Sequence, residues 1–245
     1  MTSDLPVSAV LAWWGTAWLR GHAAPDDLLD AVIGGDATHA VAGMPAPDGE
    51  GTTTLLAGLA ALRAAGASAL GCAVPTPGDP VGLGGPREFN SAALEAGQAV
   101  VATGTGLGLV PQRVGAAVVW QVLPADRRPL PDVGEADRAL RRALLDTADA
   151  LAALDVARWR PEVADELMDL RHPRPVAAPP GTPARCLDLA GRGLQAITIV
   201  DLALEDDGGA VSAHEMQRRR DALQPLATAG RHAVVAACSP EVWPE

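Results

Sequence analysis

Near the start of the chain, Val7, Val10, Leu11, Trp14 and Trp18 recur at three- and four-residue steps. That spacing predicts a helix with one apolar stripe, stopped by Gly21. Only Arg20 could give it a basic face, so the stripe points to core or interface packing rather than to a membrane surface. Pro25 suits the first position of a second helix, Asp26 and Asp27 suit its positive end, and Gly34-Gly35 closes it. Residues 36–42 predict a short edge strand and 45–51 a loop. Leu55, Leu56, Leu59 and Leu62 predict a helix over 52–65, stopped by Gly66, and a strand over 67–74 follows.

The next apolar runs are shorter and richer in Val. Residues 98–103, 106–110 and 115–123 read as strands, with a short helix over 87–95 before them. The spacers Gly104-Thr105 and Pro111-Gln112-Arg113 are too short for a parallel crossover. They predict an antiparallel meander across 67–124. Residues 124–131 are polar, contain prolines and mark a candidate boundary.

Beyond them the pattern turns helical. Leu140, Leu144, Leu151 and Leu154 mark one face of a helix over 134–156, and Pro161 opens a short helix to about 170. Leu187, Leu194, Ile197, Val200 and Leu204 mark a helix over 184–204. Ser212 and Glu215 form a capping box before a last helix carrying Met216, Leu223, Leu226, Ala233, Val234 and Ala237. Pro225 is expected to kink or divide that helix. The prediction is an α+β fold: N-terminal helices with an antiparallel sheet over 1–125, then a C-terminal helical array over 132–245, two portions that can pack as one unit.

Composition narrows the function classes. With 245 residues, 48% of them apolar, the chain can bury a sizeable core without disulfides or metals. It contains no Lys, which excludes a Schiff-base lysine and a phosphate-loop lysine. A net charge of −11 argues against nucleic acid and against an anionic membrane surface. Cys72, Cys186 and Cys238 are too few and too scattered for a disulfide framework and fit a reducing compartment. The N-terminus lacks the basic region of a secretory signal, and no apolar run reaches the ~18–20 residues of a bilayer span. A soluble cytoplasmic protein is expected.

The local motifs favour structure over chemistry. Gly104-Thr-Gly106-Leu-Gly108 has its third glycine one residue too early for a dinucleotide fingerprint, and Leu109-Val110-Pro111 after it opens no helix. A Gly-rich hairpin is expected there. His214-Glu215 begins like a helical zinc motif, but Arg218 stands where the second imidazole belongs. His22, His39, His172, His214 and His232 are scattered, so no metal site and no cofactor are expected. The cysteines are expected to be buried and inert. The turn-rich loop over 75–86 is the best candidate for function, because long irregular loops inside compact domains often carry it. Thr76 and Asp79 in the loop, with Arg87, Glu88 and the single asparagine, Asn90, just after it, are the candidate ligand-binding residues. If they serve binding, Asp79→Ala and Arg87→Ala should both remove it while leaving the melting temperature nearly unchanged.

The stretches Gly78-Asp-Pro-Val-Gly-Leu-Gly-Gly-Pro-Arg-Glu-Phe-Asn-Ser-Ala-Ala-Leu-Glu-Ala-Gly97 and Asp207-Gly-Gly-Ala-Val-Ser-Ala-His-Glu-Met-Gln-Arg-Arg-Arg220 resemble conserved hypothetical proteins of high-GC actinobacteria. The resemblance implies neither an activity nor a set of site residues. The leading expectation is a non-catalytic cytoplasmic interaction or regulatory module, with a protein partner or self-association. The alternative is a Lys-independent enzyme or a sensor, binding a small polar metabolite near residues 75–90.

Overall fold

In the computed structural model, residues 5–44, 51–127, 129–153, 176–205 and 213–243 are described. The expected helix over 161–170, Ser212 of the capping box and most of the loop over 45–51 lie outside them. Six segments pair into a sheet of β1 (Thr38–Met44), β2 (Gly51–Thr54), β3 (Ala69–Ala73), β4 (Ala99–Thr103), β5 (Leu107–Val114) and β6 (Ala117–Pro124), in the order β2-β1-β6-β5-β4-β3. Strands β3 to β6 form the expected antiparallel meander. The expected Gly-rich hairpin is the β4–β5 turn, where Gly104 and Gly106 take φ of +95° and +68°. These are left-handed conformations that favour glycine.

Three strand expectations need correction. Residues 36–42 were expected to lie at an edge, but β1 sits between β2 and β6. It runs parallel to β6, with His39 opposite Val118 and Val41 opposite Trp120, so the sheet is mixed. The long stretch of chain between them provides the crossover that a parallel pair needs. Residues 51–54 begin no helix. Their β-branched threonines form the outer strand β2, and Thr54 then caps α3 (Leu55–Ala64) by accepting the Ala57 N–H at 3.3 Å. Pro111-Gln112-Arg113 is no spacer but the second half of β5. The β4 pairing ends at Leu109, so Pro111 falls where its missing N–H costs no ladder bond.

Strand alternation sends Leu70, Cys72, Val100, Leu109, Val118 and Trp120 to one face. There they meet α1 (Val7–Leu19), α2 (Pro25–Ile33) and α3. The opposite face carries Ala73, Val101 and Val110, covered by Leu83 of the 75–86 loop and by Phe89 and Ala93 of α4 (Arg87–Ala96). Of the expected stripe of α1, Leu11 is fully buried, and Val7, Val10, Trp14 and Trp18 form a half-buried flank. The largest side chain sealed on α1 is Trp13, whose indole N–H donates to the Ala237 carbonyl at 2.9 Å. The helix is therefore covered on two sides, by the sheet and by the chain's C-terminal end.

The C-terminal helices are α5 (Val133–Ala153), α6 (Ala184–Glu205) and α7 (Ala213–Ala237). On α5, Leu140 is sealed but Leu144 is partly exposed. Pro225 lies inside α7 without dividing it. Helices α6 and α7 cross backbone to backbone: a Cβ on Gly193 would stand 2.9 Å from the Gly230 carbonyl oxygen, and a Cβ on Gly230 would stand 2.9 Å from that of Gly193. One buried cluster runs from Ala9 through the sheet to Cys238, so both portions of the chain contribute to a common core. No helix among the described residues is long and apolar enough to cross a membrane.

The crossing gives a direct test. Gly193→Val should cost about 1–3 kcal/mol of stability in urea unfolding, because the facing element is backbone and cannot yield. Gly191→Ala, where the nearest atom to the new methyl is Val176 Cγ2 at 4.0 Å, should be close to neutral. Equal effects at the two positions would contradict the crossing.

Candidate functional site

The 75–86 loop is ordered by its own backbone. Thr76 and Asp79 exchange N–H to C=O bonds of 3.0 and 2.9 Å around Gly78, whose φ is +85°. Its far end is tied to β6's exit: Gly84 donates to the Asp126 carbonyl, and Asp126 donates to that of Gly85. Asp79 then reaches α7. Its Oδ2 accepts from Arg231 Nε at 3.2 Å and Nη2 at 2.8 Å, and its Oδ1 accepts from His232 Nε2 at 2.9 Å. The Arg231 side chain is 9% exposed and also donates to Thr228 Oγ1. Asn90 turns its Oδ1 back to the Gly85 N–H at 3.1 Å. Arg87 and Glu88 point to solvent at the start of α4. The five expected residues therefore do not converge: Thr76, Asp79 and Asn90 hold the loop and its helix, and the other two are surface residues.

A second polar group covers the outer edge of β3. The Leu70 N–H donates to Thr16 Oγ1 at 2.8 Å, and that hydroxyl donates to the Leu70 carbonyl at 3.3 Å. The Cys72 N–H donates to Ser239 Oγ at 3.2 Å, and Arg127 Nη2 donates to the same oxygen at 2.8 Å. The Arg127 guanidinium lies over Gly71, where a Cβ would collide with it, and ion-pairs with Glu241. Burial holds the Arg127 pKa below its ordinary value, and the Glu241 charge opposes that shift.

A third group joins β1, β5 and β6. Trp120 Nε1 donates to His39 Nδ1 at 3.2 Å, which leaves the proton on Nε2 to be donated to Asp36 at 3.0 Å. Arg113 donates to the other Asp36 oxygen at 2.7 Å. The Arg113 hydrogen bond, then that of His39, holds the Asp36 carboxyl below its usual range.

Beside this group opens a cleft of about 380 Å³. It lies where β5 outruns β4, between the start of α1 and the end of α4. Val7, Val110, Pro111 and Val118 supply apolar lining, and Ala92 and Ala96 of α4 make one wall. Four polar side chains complete it: Glu95, Gln98, Gln112 and Arg113. Gln98 Oε1 accepts the Ser8 N–H at 3.1 Å, tying the α1 N-terminus to the cleft. Among the described residues, no His or Cys lines it. The volume falls in the range of small-molecule sites, while the lining is as much polar as apolar and the cleft opens to solvent. Sequence reasoning missed it because its residues come from α1, α4, β5 and β6, and Gln112 and Arg113 were expected to be a turn.

The three thiols sit elsewhere. All are free and buried. Desolvation pushes Cys72 up to about 12, Cys186 up to about 11 and Cys238 well above the ordinary thiol value. Such thiols are poor nucleophiles. Among the described residues, no three His, Cys, Asp or Glu side chains gather in metal-binding geometry.

The architecture defines an α+β protein: a mixed six-stranded sheet with N-terminal helices, extended by a helical C-terminal portion. Residues 8–134 match the N-terminal domain of Rv1486c-like proteins and residues 134–235 match the C-terminal domain. The chain belongs to this Rv1486c-like family. It is 32% identical to protein Rv1486c of Mycobacterium tuberculosis H37Rv, over 97% of this chain and 99% of that one. It is 29% identical to protein ML1804 of Mycobacterium leprae, over the same shares. Both relatives are described as uncharacterised. No solved structure matches the chain.

The geometry separates two substitutions that the sequence alone treated alike. Asp79→Ala strands the Arg231 cation at 9% exposure and should cost about 3 kcal/mol in thermal or urea unfolding. Arg87→Ala, on an exposed residue, should leave stability unchanged. Unaltered stability in Asp79→Ala would show that the clamp is idle and return Asp79 to the list of binding residues.

Proposed function

We propose that the protein is a non-catalytic cytoplasmic binding module that senses a small polar metabolite in the cleft between α1, α4, β5 and β6. The observation that carries this reading is the cleft itself: about 380 Å³ of space against a mixed apolar and polar lining, with Glu95 and Gln112 exposed at its border. Binding rather than turnover is favoured by its titratable lining, which among the described residues consists of Glu95 and Arg113 and supplies no matched acid and base. The imidazole nearest by connection, His39, is tied through both ring nitrogens. A reducing compartment accords with three free thiols. The ligand position differs from the loop expected from sequence, but α4 links the two: its first residues follow the loop and its last ones line the cleft.

Association with a protein partner or a second copy is a further reading. It is favoured by the exposure of Leu145 (69%), with Leu144 and Leu204 also partly open on α5 and α6.

Native mass spectrometry of the full chain purified gently from its own host tests both. The expected result is a stoichiometric small-molecule adduct that disappears in Ala96→Trp, a variant that fills the cleft from its wall and should still melt cooperatively. A wild-type protein without adduct, showing no thermal shift with a metabolite panel, would overturn the binding reading. A dimer or a bound protein would support the association reading.

A further inference from the structure

We infer that the cleft takes a small organic cation, with its charged nitrogen at Glu95 and its alkyl part against the apolar lining. This rests on the binding reading above and adds the ligand's charge. Among the described residues two charged side chains line the cleft, and their situations differ. Arg113 is already neutralised, 2.7 Å from Asp36. Glu95 has no ion-pair partner among the described residues. Counting Asp36, Arg113 and Glu95 as −1, +1 and −1 leaves the site one negative charge in excess.

The helix ends reinforce that sign. Glu95 lies in the last turn of α4, whose carbonyl end carries the negative half of the helix dipole, and no basic side chain stands in that turn. A carboxylate there is in an unfavourable field, which a bound cation would relieve. At the opposite pole, the start of α1, three N–H groups already have acceptors. The Ser8 N–H is taken by Gln98, and those of Ala9 and Val10 by the Pro6 carbonyl. Arg113 is thus compensated by Asp36, and Glu95 is not compensated by any described side chain. Gln112, exposed at the border, offers a neutral carbonyl to the same ammonium. Val7, Ala92, Val110 and Val118 can cover a short alkyl chain.

Three probes with one chain length test this on the full protein: n-hexylamine, n-hexanol and n-hexanoate, titrated by ligand-detected NMR. Hexylamine should bind saturably and more tightly than the other two. Glu95→Gln should weaken it about fivefold, the upper range for an exposed charge pair. That variant should melt no lower than the wild type, because it removes a carboxylate from a helix C-terminus. Ala96→Trp should abolish binding. Hexanol or hexanoate binding as tightly as hexylamine, or a hexylamine affinity unchanged by Glu95→Gln, would overturn the cation assignment while leaving a ligand cleft in place. Absence of hexylamine binding would also overturn it. The retained adduct and its loss in Ala96→Trp judge the binding reading separately.

Discussion

The outer edge of β3 is the constraint on which the arrangement depends. An edge strand presents unpaired peptide groups, and a buried one left unpaired costs about 1–3 kcal/mol per group. Here Thr16 of α1 serves Leu70, and Ser239 and Arg127 serve Cys72, so side chains complete what a seventh strand would have done. Two of these partners follow the sheet in sequence, and Ser239 lies beyond the final helix. The sheet is therefore finished by the end of the chain. Trp13 to Ala237 and Asp79 to Arg231 and His232 bind the same C-terminal end at two more points. Gly71 fits this scheme, because any side chain there would occupy the place of the Arg127 guanidinium.

A chain without lysine builds these anchors from arginine alone. The planar guanidinium can serve several acceptors at once, which an ammonium on a flexible stem does less well. Arg127 reaches Cys72, Ser239 and Glu241; Arg231 reaches Asp79 with two nitrogens and Thr228 with one of them. Of the polar groups that sequence reading singled out, Asp79 is consumed in this way, and Asn90 is tied to the Gly85 N–H. What stays uncommitted near a concave surface is Glu95 with Gln112, and the functional proposal rests there.

Local signals were legible and distant pairings were not. Pro25 and Gly34 bracket α2 as expected, and the glycines at 104 and 106 place the β4–β5 turn. Short spacers correctly implied antiparallel order for β3 to β6. The parallel seam of β1 on β6 joins residues about 80 apart, and no local pattern encodes it. Without that seam β1 reads as an edge and β2 as the start of a helix. The loop over 75–86 was visible as irregular, but sequence could not show that Asp79 meets Arg231 more than 150 residues away. The cleft was hidden for the same reason, since it forms where β5 outlasts its neighbour, a matter of strand register.

The central claim is that sheet and C-terminal helices stand or fall together. The three buried thiols report on it without any label being introduced: Cys72 in β3, Cys186 in α6 and Cys238 just after α7. Pulsed thiol modification of the native full chain, at rising urea below the unfolding midpoint, measures the opening free energy at each site. The account predicts one common opening energy and one common urea dependence for all three. Modification of Cys186 and Cys238 at lower urea than Cys72 would mean that the helices leave while the sheet persists, and would contradict it.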